Sequence, residues 1–197
     1  MSEGAIRRMS PDEFLQWDLE AADHRHELVD GVPRAMVGAR RGHDRIVMNC
    51  ARDIGVQLLD SPCQPFSEAV AVVMPRGNVR RPDLGVDCAP LDPAATAAGE
   101  PRLVIEVLSR STRALDQVGK LDEYKTVECL DYIVLIDPEL PEVIVWSRND
   151  ERVWRHRPLR GLDAAIDMPT LRLTLRLADI YRGITFRPAP RLVTDQG

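Results

Sequence analysis

"RLVIEVLSRSTRALDQVGKLDEYK", residues 102–125, decides how this chain folds. Its first part is an apolar run that reads as a buried strand over 103–108, interrupted by one carboxylate, Glu106. A turn rich in serine and threonine follows, and then a helix over about 113–126. Ser109, Ser111 and Thr112 suit the cap of that helix better than a nucleophile's role. Alternation along the strand puts Val104, Glu106 and Leu108 on one face and Ile105 and Val107 on the other. On the helix, Asp116, Lys120 and Tyr124 fall at i, i+4 and i+8 and share a face. A strand–turn–helix unit brings that face back over the sheet. An ionised acid in a buried strand needs a partner, and Lys120 can supply it. The structural alternatives are a Glu106 paired with Arg102 or Arg113, an ordinary exposed Asp116–Lys120 helix pair, and a Tyr124 that only packs.

Upstream, Ser10-Pro11-Asp12-Glu13 starts a helix, with serine as cap, proline in the first turn and glutamate closing a capping box. "HELVDGVPRAMV" has Asp30-Gly31 between apolar runs, the signal of a β-hairpin. "GHDRIVMNCARDIGVQLLD" is a second helix, with Ile46, Val47, Cys50, Ile54 and Leu58 on its buried side. "FSEAVAVVM" reads as one strand and "VRRPDLGVDC" as an extended piece that Pro82 confines to an edge or a strand start. "APLDPAATAAGEP" is a surface loop. Downstream come the strands "DYIVLID" and "EVIVWSR", "RVWRHRP" as a partner, the alternating strand "LRLTLRL", and one or two helical turns in "ADIYRGI". Trp146 and Trp154 are expected on a sheet face. The order α-β-β-α-β-β-β-α-β-β predicts a mixed sheet with helices packed on it, an α/β or mixed α+β fold.

The chain has 197 residues, 44% hydrophobic, enough for one domain with a real core. No run approaches the roughly 18 apolar residues of a membrane span, and the N-terminus lacks the apolar core of a signal peptide, so a cytoplasmic protein is expected. Cys50, Cys63, Cys88 and Cys129 form no CxxC pair, and scattered reduced thiols are expected rather than zinc or disulfides. A net charge of −5 argues against a broad basic nucleic-acid surface. It leaves room for a local one, because "VGARRGHDR" and "MPRGNVRRPD" concentrate arginine. His24 and His26 are too weak a pair to assign a metal.

Asp83 follows Pro82, and Glu106 lies 23 residues further on. If their strands pair, both carboxylates reach one sheet end. Two acids from neighbouring strands and one lysine suit phosphodiester hydrolysis. Carboxylates bind Mg²⁺ through hard oxygens. The metal polarises the phosphate and helps to make hydroxide, and lysine orients the water or offsets charge growing on phosphorus.

"HELVDG", "GHDRIV", "RPD", "LVIEVLSRST…D…K…Y" and "YIVLIDP", in this order, resemble the Uma family of restriction endonucleases, within the PD-(D/E)XK nuclease superfamily. The resemblance covers roughly residues 10–185. It implies a restriction-endonuclease-like αβββαβ core with an added N-terminal helix and β-hairpin, as a single domain over 1–187 before a loose tail, 188–197. It implies Mg²⁺-dependent cleavage (Mn²⁺ substituting) of nucleic acid, DNA before RNA or branched substrates. By position, Asp83 and Glu106 become the catalytic metal ligands and Lys120 the catalytic lysine. Glu27 and His43 also match family positions and could complete the metal shell, bind the scissile phosphate or tune a neighbouring acid. A homodimer is a further expectation from the family. Two departures stand out: Leu108 occupies the place where the superfamily's plain motif has its lysine, and Arg110 stands where a proline is usual. The rival reading is a non-catalytic relative that binds nucleic acid or protein with the same fold.

Overall fold

The computed structural model describes residues 8–21, 25–36, 38–108 and 116–186. The elements run α1 (Pro11–Glu20), β1 (His26–Val29), β2 (Val32–Ala35), α2 (Arg41–Gln57), β3 (Gln64–Ser67), β4 (Val72–Val73), β5 (Val79–Arg80) and β6 (Leu84–Asp87). They continue with β7 (Pro101–Val107), α3 (Asp116–Lys125), β8 (Tyr132–Ile136), β9 (Glu142–Arg148), β10 (Trp154–Arg160), β11 (Ala165–Met168), a 3-10 turn, β12 (Leu173–Arg176) and α4 (Leu177–Ile180). The fold is mixed α+β. Its main sheet has the order β10-β9-β8-β7-β6-β3, and β2-β1-β5-β4 and β11-β12 form two smaller sheets. Within the main sheet α2, β3, β6, β7, α3 and β8 follow one another in αβββαβ order. β7 and β8 are parallel, joined through α3, as a crossover helix requires.

Local chemistry sets the boundaries. The Ser10 hydroxyl accepts from the Glu13 amide and the Glu13 carboxylate accepts from the Ser10 amide, which closes the capping box of α1. Asp30 and Gly31 both have positive φ (51° and 76°), the geometry of the tight hairpin turn between β1 and β2. The ring of Phe66 lies over Gly85, its partner across β3 and β6, where any Cβ would collide with it.

β7 separates two apolar layers. Leu103, Ile105 and Val107 pack with Ile46, Cys50 and Ile54 of α2 and with Leu58 at its C-cap. Val104 packs on the opposite side with Tyr124, Leu130 and Ile133. Burying each such aliphatic side chain contributes ~1.5–3 kcal/mol, so alternation of β7 between the layers fixes its register and leaves Glu106 on the α3 side.

The structure departs from the sequence reading in four places. "FSEAVAVVM" is two strands in different sheets: β3 ends in a turn, with the Val70 amide bonded to the Ser67 carbonyl, and β4 starts beyond it. Pro82 likewise divides β5 from β6, so the β4–β5 hairpin leaves the main sheet between β3 and β6. β11 was not anticipated; it pairs with the expected strand at the C-terminal end, β12. Finally, Cys63 and Cys88 form a disulfide, against the expectation of four reduced thiols. Gln64 pairs with Asp87, so the next position outward sets these two cysteines opposite each other. Cys50 and Cys129 are free. No helix among the described residues is long and apolar enough to cross a membrane. Ser109, Ser111, Thr112, Arg110, Arg113, the side chain of Asp116, His24 and the tail 188–197 lie outside the described residues.

Candidate active site

Asp83 stands immediately before β6, and the antiparallel register Leu84↔Ile105 carries it to the end of β7. Its Oδ2 accepts from the amide of Val107 at 2.7 Å and lies 3.1 Å from Nε2 of His43, in the first turn of α2. Glu106 is next to Val107 on the strand and turns to the α3 side. Its Oε1 accepts from the Tyr124 hydroxyl at 2.8 Å and lies 4.0 Å from Lys120 Nζ. Lys120 donates to Glu27 Oε1 on β1 at 2.9 Å. The helix lysine therefore reaches the site from one turn before Tyr124, but its nearest carboxylate is Glu27, not Glu106.

Glu27 is held by more than the lysine. Its Oε2 accepts from Arg80 at 3.0 Å and its Oε1 from the amide of Arg81 at 3.2 Å. Arg80 also makes a two-pronged contact with Glu123 on α3, at 2.7 and 2.9 Å. β1, β5 and α3 are thus tied together by one buried guanidinium, 5% exposed. Asp83, Glu106, Lys120, Glu27 and His43 all line one cleft of about 970 Å³.

Burial pushes Glu106 up to about 7, with the charges of Asp83 and Glu27 adding to it; the Lys120 charge and the Tyr124 hydrogen bond offset this only in part. Burial works against the charged form of His43, but its contact with Asp83 and the Glu106 charge outweigh this and its pKa is raised. Burial also opposes the Lys120 charge, yet Glu106 and Glu27 together raise its pKa, so the lysine stays cationic. For Glu123 the burial penalty is exceeded by Arg80, which lowers its pKa.

Two of these side chains, Asp83 and Glu106, could serve as oxygen donors to a hard divalent cation. Asp83 and Glu106 bring carboxylate oxygens to one end of the sheet, and the ionised form of Glu106 lacks full compensation until a further positive charge arrives. Among the described residues no group of three or more His, Cys, Asp and Glu is arranged to hold a metal. A cation here would rest on two carboxylates and fill its other positions with water or substrate oxygen, as Mg²⁺ does.

Three participants were not assigned from sequence. Tyr124 is fully buried, as expected of a packing residue, and it also donates to Glu106. Arg80 and Arg81 belong to an arginine-rich stretch that suggests a local basic surface, but they are 4% and 3% exposed and turn inward. Arg102 pairs with Asp131 rather than Glu106. His26 packs against Trp17 with the rings tilted and contacts Asp18, so it is a scaffold residue. Trp146 and Trp154 lie partly buried on the α3 side of the sheet, as expected.

Known proteins are similar to this chain over most of its length. An uncharacterized Synechocystis protein, slr1290, is 29% identical over 181 residues, covering 91% of this chain and 94% of its own. A second from the same organism, sll1609, is 26% identical over 82% of this chain and 93% of its own. The crystal structure of a putative nuclease of the DUF820 family from Anabaena variabilis superposes with a TM-score of 0.70 at 21% identity, covering 88% of this chain and 97% of that one; this likeness bears on the fold. Residues 11–178 match the Uma2 family, described as "Putative restriction endonuclease". With that match spanning most of its length, the chain belongs to the Uma2 family.

Proposed function

We propose that this protein is a metal-dependent endonuclease that hydrolyses phosphodiester bonds, with DNA as its substrate. The observation that carries the reading is the meeting of Asp83, Glu106 and Lys120 in one cleft, from two paired strands and the helix between two parallel ones. Asp83 and Glu106 would hold Mg²⁺ or Mn²⁺, which supplies Lewis-acid polarisation of the scissile phosphate when bound. Lys120, cationic and 4.0 Å from Glu106, offsets negative charge developing on the phosphoryl oxygens. Glu27 and Arg80 position Lys120. His43 orients Asp83 by its contact with Oδ2.

The non-catalytic alternative draws on one specific observation: Lys120 sits closer to Glu27 than to Glu106. Cleavage of supercoiled plasmid and of oligonucleotides in Mg²⁺ or Mn²⁺ separates the readings. The enzyme reading expects wild-type cleavage, lowered by about 10²-fold or more in Glu106→Gln and in Lys120→Ala. Equal rates in all three proteins would rule out catalysis by these residues. Parallel RNA and branched-DNA substrates test the choice of DNA.

A further inference from the structure

The cleft has an acidic floor and a basic rim. Arg34 on β2 is paired across the hairpin with Glu27, so it stands beside the site on the same face of that hairpin. Arg34 and Arg40 both line the cleft. Arg41 and Arg45 line a shallow depression of about 280 Å³ that joins the cleft at Gly42. All four are exposed, and none of their side chains makes an ion pair or hydrogen bond among the described residues. Two acids of the floor already have partners: Glu27 takes Arg80 and Lys120, and Asp83 takes His43 and the Val107 amide.

The sequence accepts a local cost to put these arginines there. Arg40 occupies the N-cap of α2 and makes no side-chain cap bond, where serine, threonine, asparagine or aspartate would satisfy an amide. Arg40 and Arg41 set positive charge at the positive end of the helix dipole. Arg41 and Arg45 are like charges one turn apart. Asp44, three residues after Arg41 and lining the same depression, offsets part of this charge, but the cap and dipole conflicts stay, and local conflicts of this kind mark functional positions. In a chain of net charge −5, unpaired cations grouped beside one cleft call for a polyanion.

We propose that Arg34, Arg40, Arg41 and Arg45 form a rim that binds the phosphates of a nucleic-acid strand on either side of the bond held over Asp83 and Glu106. The proposal rests on the nuclease reading for the identity of the polyanion, but its test needs no cleavage. Contacts to backbone phosphate are independent of sequence and fix the strand's position rather than reading bases. The rim therefore supplies affinity and register.

The test is fluorescence anisotropy with a labelled DNA duplex and an RNA duplex of the same sequence, without divalent metal, over a series of salt concentrations. The variants are Arg34→Gln/Arg40→Gln/Arg41→Gln and, as a control, Arg155→Gln/Arg157→Gln. The control removes exposed arginines of β10 that alternate onto the α2 side of the sheet, away from Glu106. The rim variant is expected to bind about tenfold or more weaker, with a slope of log K against log salt reduced by ~0.9 for each duplex phosphate that it no longer neutralises. The control should match wild type. Thermal melts keep the result interpretable, because the rim variant, freed of its helix-end conflict, is expected to melt no lower than wild type. Equal weakening in both variants, an unchanged salt slope, or no binding by wild type to either duplex would overturn the rim. Rim-dependent binding without cleavage in Mg²⁺ would leave the rim standing and remove the nuclease reading.

Discussion

Arg80 and Arg81 are neighbours in sequence, almost equally buried, and serve two different ion clusters. Arg81 enters a closed knot. Its side chain donates to the carbonyls of His26, Glu68 and Ala69 and to Asp18 Oδ2 at 2.6 Å, while Asp18 Oδ1 accepts from the His26 amide. Donors and acceptors balance there, and the knot ties α1 to the hairpin and to the turn after β3. Arg80 enters an open cluster. With Lys120 it compensates Glu27 and Glu123 well, but Glu106, at the far end, is left with a tyrosine hydroxyl and a lysine 4.0 Å away. A balanced buried charge holds a fold together. A short-changed one stores the electrostatic deficit that a ligand can fill.

The comparison breaks most severely at the knot. Asp18→Ala would leave the Arg81 guanidinium buried without its carboxylate, which should cost about 3–5 kcal/mol. Urea denaturation measures it, and a loss under ~1 kcal/mol would mean that the knot is dispensable.

Glu106→Gln should move stability the other way. An unfolded glutamate ionises near its ordinary value of about 4.5, whereas the folded site holds the proton to about 7. Between these values the folded state binds more protons, so metal-free wild type loses stability as pH rises through that window. Glutamine mimics the protonated acid. The variant should therefore equal wild type below pH 4.5 and exceed it by up to about 3 kcal/mol above pH 7. Paired denaturation curves at the two ends of the window check this. A variant less stable than wild type at high pH would place Glu106 with the structural acids.

Tyr124→Phe sharpens the contrast with a smaller effect. The hydroxyl stabilises the ionised carboxylate, so its loss should raise the Glu106 titration further, by about one unit or less. Carbon-detected NMR of the side-chain carboxyl reads the midpoint directly. An unmoved midpoint would reduce Tyr124 to a packing residue.

Much of this was legible in the chain. The period of two along 103–108 placed Glu106 and separated it from Ile105 and Val107. Asp30-Gly31 and Ser10…Glu13 announced their own turn and cap. These are local signals, carried by residues within a few positions of each other. Long-range partnerships were not legible. Arg80 meets Glu123 across 43 residues and Cys63 meets Cys88 across 25. Nothing near Arg80 or Arg81 distinguishes an arginine that turns inward from one that faces solvent. "FSEAVAVVM" misled for a related reason: a turn within an apolar run keeps the run's hydrophobicity while the strands on either side join different sheets. Lys120 falls between these cases. Helical spacing put it on the right face, but only the structure shows that Glu27 lies closer to it than Glu106.

The proposed nuclease depends on Asp83 and Glu106 together holding a divalent cation. Calorimetric titration of the metal-free protein with Mn²⁺ reads that binding. Wild type should bind with millimolar or tighter affinity, weakening as pH falls below about 7 and protons compete for Glu106. Asp83→Ala and Glu106→Gln should each abolish the heat of binding while remaining folded. Wild-type affinity retained in either variant would contradict the claim.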